Sequence, residues 1–209
     1  ILLYVSEWDI PAITDVDGDG DIDILTFEFA GSLMYYYKNL SIENYGNADS
    51  LVYTLEDKCW GKFTESWGDC SVTLGISCKW GKVGKTTKEL HAGSTSLALD
   101  LDCDNDKEVI IGDITCTNTY VLTNGGDSIN ASMISVNTMY PIAYPIDIQR
   151  FPAAFYVDVN NDGARDLLTA PNALNISENF KSSWYYKNTN TDCTPSFSFQ
   201  TDAFLQDGM

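Results

Sequence analysis

Histidine is almost absent from this chain. Its 209 residues include one, His91, and a single imidazole excludes the multi-histidine sets of most catalytic zinc sites. There is no G-x-S-x-G elbow and no phosphate-cradling glycine loop, so no nucleophile with a base beside it can be read from the chain. Bases are also scarce, with 12 Lys and Arg against 30 Asp and Glu and a formal charge of −18. That balance argues against nucleic acid and anionic membranes as partners, since both require a basic face. No apolar run reaches the roughly 20 residues of a membrane helix, which argues against membrane insertion. The six cysteines form no C-x-x-C pair, so zinc is disfavoured. Their even number favours disulfides in an oxidising, extracytoplasmic place. Cys59, Cys70 and Cys78 fall in one segment, and at least one bridge is expected inside it.

The acids are not spread evenly. Asp15, Asp17, Asp19, Asp21 and Asp23 alternate through nine residues, and Asp100, Asp102, Asp104, Asp106 and Glu108 repeat the spacing. Asp158, Asn160, Asp162, Ala164 and Asp166 repeat it again with fewer charges. Carboxylates this dense repel one another unless a cation sits among them, and hard oxygens at positions 1, 3, 5 and 9, with a backbone carbonyl at 7, suit Ca²⁺. Position 6 is Gly20, Asn105 and Gly163, the residue types that best tolerate left-handed backbone. The expected ligands are therefore Asp15, Asp17, Asp19 and Asp23, then Asp100, Asp102, Asp104 and Glu108, then Asp158, Asn160, Asp162 and Asp166. The carbonyls of Asp21, Asp106 and Ala164 are expected to complete each shell, for about three ions in all. Loop three, with fewest charges, is expected to bind most weakly.

Each loop is followed by an apolar run and then by an aromatic or aliphatic strand ending in Asn39, Asn124 or Asn188, at offsets of 24, 24 and 30 residues from the loop start. Such self-similarity marks copies of one supersecondary unit. An EF-hand does not fit. Its loop requires an acid at position 12 between flanking helices, whereas position 12 here is Thr26, Ile111 and Thr169 and the flanks are β-branched and aromatic. With its D-x-D-x-D-G-x-x-D loops between strands, the chain resembles the FG-GAP/VCBS-type calcium-binding repeat family. The resemblance implies an all-β fold, a partial β-propeller of about three antiparallel blades with calcium in their hairpin loops. The Tyr-Tyr-Lys-Asn strands are similar to those of secreted surface proteins of the Bacteroidetes.

On this reading residues 1–10 end a preceding blade, 11–55 form blade one, 94–145 blade two and 146–209 blade three, all within one propeller domain of a longer chain. The opening Ile1–Val5 looks like the middle of a strand. Within blade one the expected strands are Ile22–Phe29, apolar on both parities as an inner blade strand must be, then Leu33–Asn39 and 51–55. Residues 56–93 interrupt the pattern. They hold Trp60, Trp67 and Trp80, three cysteines, six of the twelve basic residues and His91, which makes them the expected partner surface. The function expected is a non-catalytic, calcium-stabilised region of a secreted or cell-surface protein, acting as a scaffold or as an adhesion and recognition module. Its partner would be a protein or glycan at the cell surface or in the medium, with further blades of the same chain or a partner chain alongside. The alternative is a carbohydrate-binding or accessory region of an extracellular hydrolase, with Trp60, Trp67 and Trp80 as stacking platforms.

Overall fold

The computed structural model describes residues 2–66, 68–78, 93–173, 175 and 177–206. The chain is all-β, and its sheets are antiparallel and open. β1 (Ala12–Thr14), β2 (Asp23–Phe27) and β3 (Met34–Asn39) are followed by a short helix α1 (Ser41–Tyr45) and β4 (Tyr53–Asp57). Together they form a four-stranded meander in the order β1-β2-β3-β4. β5 (Phe63–Glu65) and β6 (Val72–Leu74) make a small hairpin. A second meander holds β7 (Ser94–Leu99), β8 (Glu108–Asp113), β9 (Thr119–Asn124) and β10 (Met133–Asn137), and a third holds β11 (Pro152–Val157), β12 (Asp166–Pro171), β13 (Trp184–Asn188) and β14 (Phe197–Thr201).

The three meanders are built in one register. The residue before each acidic loop pairs with position 9 of that loop: Thr14 with Asp23, Leu99 with Glu108, Val157 with Asp166. The next strand is aligned alike, with Ile24 opposite Tyr37, Val109 opposite Leu122 and Leu167 opposite Tyr186. Because strand side chains alternate between faces, a shared register carries the same positions to the same face in all three sheets.

The sheets stack. Leu25, Phe27, Met34 and Tyr36 of the first share a core with Val109, Ile111, Tyr120 and Leu122 of the second. Residues of opposite parity on the second sheet, Leu99, Ile110 and Val121, share another core with Leu167 and Tyr186 of the third. β8 is consequently buried along its whole length, as a strand covered on both faces should be.

The first strands of the meanders lie close together. Ile10 bridges in parallel to Thr95, and Ser96 N–H donates to the Ile10 carbonyl at 2.8 Å. Thr95 Oγ1 donates to the Pro152 carbonyl at 2.8 Å. At Gly112 an added Cβ would lie 1.9 Å from that same carbonyl oxygen, so glycine is what lets β11 pass over β8.

Several expectations are corrected. β2 is shorter than Ile22–Phe29, leaving Ile22 and Phe29 exposed, and residues 2–6 form no strand. The fourth strand runs Tyr53–Asp57 rather than 51–55, and the short helix α1 lies in the connection before it. The expected bridge inside the 56–93 segment is Cys59–Cys78. Cys70–Cys116 ties the β5–β6 hairpin to the second sheet, and Cys103–Cys193 joins acidic loop two to the β13–β14 turn. Among the described residues no helix is long and apolar enough to cross a membrane.

Candidate metal centres in three hairpin loops

Each acidic loop connects the first and second strands of a meander, and its backbone is held by its own carboxylates. The position-1 carboxylate collects N–H groups from further along the loop. Asp15 accepts from Gly18 at 2.7 Å and Gly20 at 3.1 Å, Asp100 from Cys103 at 2.6 Å and Asn105 at 3.1 Å, and Asp158 from Asp162 at 3.2 Å and Gly163 at 3.0 Å. The position-5 carboxylate accepts the N–H of position 7 in all three, at 3.1 Å in Asp19, 3.0 Å in Asp104 and 3.1 Å in Asp162.

Such tight curling requires left-handed residues. Position 6 has φ of 102° at Gly20, 72° at Asn105 and 91° at Gly163, as the sequence predicts. Position 4 is left-handed too, at Gly18, Cys103 and Asn161, and was not anticipated. Its residue types have no common signature, although two of the three, Gly and Asn, favour this conformation.

Position 9 faces the fold as well as the loop. Asp23, Glu108 and Asp166 are 0–1% exposed. Each accepts the N–H of position 2: Val16 at 3.0 Å, Leu101 at 2.8 Å and Val159 at 3.4 Å. Each also accepts the N–H of the Asn that ends the third strand. Tyr36 OH adds a donor to Asp23 at 3.1 Å, and Tyr185 OH one to Asp166 at 3.2 Å. Burial still outweighs these bonds, pushing the Asp23 carboxyl up to about 6 and that of Glu108 up to about 7.

The oxygens converge unevenly. Asp15, Asp17 and Asp19 bring one ligand oxygen each within 4.8 Å of the others, and so do Asp100, Asp102 and Glu108. No comparable acidic group forms in loop three among the described residues. There Asn160 Nδ2 donates to Asp166 at 3.1 Å and to Tyr185 OH at 3.2 Å. A further group, Cys70, Asp113 and Cys116, has its two sulfurs joined in the Cys70–Cys116 disulfide and is no metal site.

Position 7 adds side chains in loops one and two. Those of Asp21 and Asp106 are buried, and Oδ1 of each has no hydrogen-bond donor. Burial and the neighbouring Asp104 push the Asp106 carboxyl up to about 6. Ala164 takes this position in loop three. Buried carboxylate oxygens without donors are costly, and hard-oxygen clusters beside them fit a divalent ion such as Ca²⁺.

Lysines partly offset the charge. Lys38 Nζ contacts Asp17, lies 3.1 Å from Asp19 and 2.6 Å from Glu43. Although burial pulls its ammonium down, hydrogen bonds to Asp17, Glu43 and Asp19 hold it well above the ordinary lysine value. Lys187, at the same place in the third sheet, lies 2.9 Å from Asp162; the second sheet has Thr123 there. Glu43 arrives on α1, a helix that no periodicity in the sequence announces, and so was missed.

Trp60 is 2% exposed, within the core shared by the first two sheets, and presents no ring face to a ligand. Trp67, Trp80 and His91 lie outside the described residues. The three loops flank one groove, lined in part by Asp15, Asp100, Lys107, Arg165 and Asp192. Compared with known proteins, the chain matches no protein-family model and no curated protein.

Proposed function

We propose that this chain is a non-catalytic scaffold or recognition region of a secreted or surface protein, in which Ca²⁺ bound by three loops pins three propeller-type blades. The observation that carries the reading is the loop scaffold itself. Three separate stretches of chain place carboxylates at positions 1, 5 and 9 in the same register and bond the first of them to the position-6 N–H. Asp15, Asp17, Asp19 and Asp23, then Asp100, Asp102, Asp104 and Glu108, then Asp158, Asn160, Asp162 and Asp166 would hold the ions. What calcium supplies is charge compensation that turns three repulsive hairpins into rigid corners, so that binding energy becomes folding energy. The parallel approach of the first strands and the stacking of the sheets support the blade reading. The three disulfides are compatible with an extracellular setting. The resemblance to FG-GAP/VCBS-type repeats points the same way for fold and calcium, and the partner proposed is a protein or glycan at the cell surface or in the medium.

Thermal melting with and without calcium tests the reading. Excess EDTA should lower the melting temperature by ten degrees or so, and restoring calcium should reverse the loss. An unchanged melt would remove calcium from the structural role.

A further inference from the structure

Asp19 belongs to two acidic groups. The first is Asp15, Asp17 and Asp19, and the second is Asp19, Asp21 and Glu43; within each, one ligand oxygen per residue lies within 4.8 Å of the others. Oxygens around one Ca²⁺ sit about 2.3–2.6 Å from it and so no more than about 5 Å apart. Each group therefore fits a single coordination shell, while the two form separate sets that meet at Asp19.

The second group has an oxygen with nothing to bind. Asp21 is 0% exposed; its Oδ2 accepts the Ile42 N–H at 3.0 Å, whereas Oδ1 is buried without a donor. Glu43, half open to solvent, leaves an entry path. Charge points the same way. Asp15, Asp17, Asp19, Asp21, Asp23 and Glu43 are six carboxylates, and among the described residues Lys38 contacts them through Asp17, Asp19 and Glu43. Five negative charges then remain; one divalent ion would leave three, and a second would leave one.

We propose that loop one holds a second hard divalent cation on Asp21 and Glu43, sharing Asp19 with the first. This rests on the calcium reading of the loop. The site is particular to the first meander. Residues at the place of Glu43, four after the strand-ending Asn, are Ser128 in the second sheet and Asp192 in the third, and in the third sheet Ala164 stands where Asp21 does in the first. Chemically the site is an all-oxygen one, suited to Ca²⁺ or Mn²⁺ rather than to a thiophilic metal.

Native mass spectrometry of the full 209-residue chain, disulfides intact, counts bound Ca²⁺ directly. Glu43→Gln is isosteric and on the surface, so the fold should survive, and circular dichroism would verify it. The expected result is that Glu43→Gln binds one ion fewer than the unaltered chain at saturation, and that Asp15→Asn loses a different one, so that the double variant loses two. An unchanged count in Glu43→Gln, with or without weaker affinity, would overturn the second site while leaving the loop reading standing. Absence of calcium from the unaltered chain would overturn both.

Discussion

The N–H of Asn39 donates to Asp23 Oδ1 at 2.8 Å across 16 residues of chain. Asn188 and Asp166 repeat the contact at 2.8 Å, and Asn124 and Glu108 at 3.3 Å. This link explains why each third strand ends in Asn. Its backbone secures the acidic loop, and its side chain secures the next turn. Asn39 Oδ1 accepts from Val52 N at 2.9 Å, Asn124 Oδ1 from Ser132 N at 2.8 Å, and Asn188 Oδ1 from Ser196 N at 3.0 Å. One buried carboxylate and one amide thus hold three strands of every meander together.

Removing the carboxylate should therefore destabilise the chain even without calcium. Asp23→Ala strands the N–H groups of Val16 and Asn39 and the hydroxyl of Tyr36, at about 1–3 kcal/mol for each buried donor left unpaired. Allowing for relaxation, we expect a loss of about 2–5 kcal/mol. Asn39→Ala, which releases mainly the Val52 N–H and the Ser50 carbonyl, should cost about 1–3 kcal/mol. Urea unfolding in EDTA measures both. If Asp23→Ala unfolds at the same urea concentration as the unaltered chain, position 9 serves the metal alone.

Gly112 makes a sharper steric prediction. With the Pro152 carbonyl oxygen 1.9 Å from a built Cβ and Thr95 Oγ1 at 2.7 Å, Gly112→Ala has to separate β8 from β11. Overpacking of a dense core typically costs about 1–3 kcal/mol, and backbone here cannot rotate away as a side chain would. A lowered melting temperature, with β7 and β11 amides exchanging faster, is the expected outcome of hydrogen exchange on this variant.

What the sequence made legible follows from short-range chemistry. The alternating Asp residues and the position-6 Gly20, Asn105 and Gly163 mark hairpin loops whose turn-forming bonds, to the carboxylates at positions 1 and 5, are local, so the loops could be read one at a time. The strands beside them were legible through their β-branched and aromatic runs. Glu43 was hidden because α1 is only five residues long and carries no apolar period. The partner of Cys103 was hidden because it lies 90 residues away, and pairing depends on how sheets stack rather than on spacing. Trp60 is buried for a related reason. Its neighbours are lysines and cysteines, but Phe63 and Met133 pack with it in a core that forms only in three dimensions.

Acidity should act in opposite directions with and without calcium. Burial raises the folded-state carboxyls of Asp23 to about 6 and Glu108 to about 7, above ordinary values of 3.8 and 4.5. The folded chain then binds more protons than the unfolded one between those limits, so stability is lost as pH rises through them. In EDTA the melting temperature should thus be higher at pH 5.5 than at pH 7.5. With calcium present, protons compete for the same oxygens, and the stabilisation that calcium confers should shrink at pH 5.5. Glu108→Gln should remove the part of the EDTA effect nearest pH 7. A melt in EDTA that rises with pH across this range would contradict the assignment.

Stacking leaves one face of the first sheet and one of the third without a neighbouring sheet among the described residues. The parity that turns Leu25 and Tyr36 toward the second sheet turns Ile13, Ile24, Tyr37 and Leu55, which lie opposite one another across the first sheet, the other way. Likewise Phe155, Leu168 and Tyr185 form a row on the outer face of the third sheet. Ile13 is 63% exposed and Phe155 43%. These rows occupy the positions through which the middle sheet meets its two neighbours, so the outer face of the third sheet and that of the first are of the two types that pack together inside the chain. Contiguous apolar rows of this kind favour association, and here the two faces differ, so the contact is head to tail and need not stop at a dimer. Residues 1–209 expressed alone should accordingly show a scattering mass that grows with protein concentration, and Ile13→Lys or Phe155→Lys should each suppress the growth. A monomer at every concentration, with a sharp melt, would mean that three sheets are self-sufficient and that these rows tolerate water.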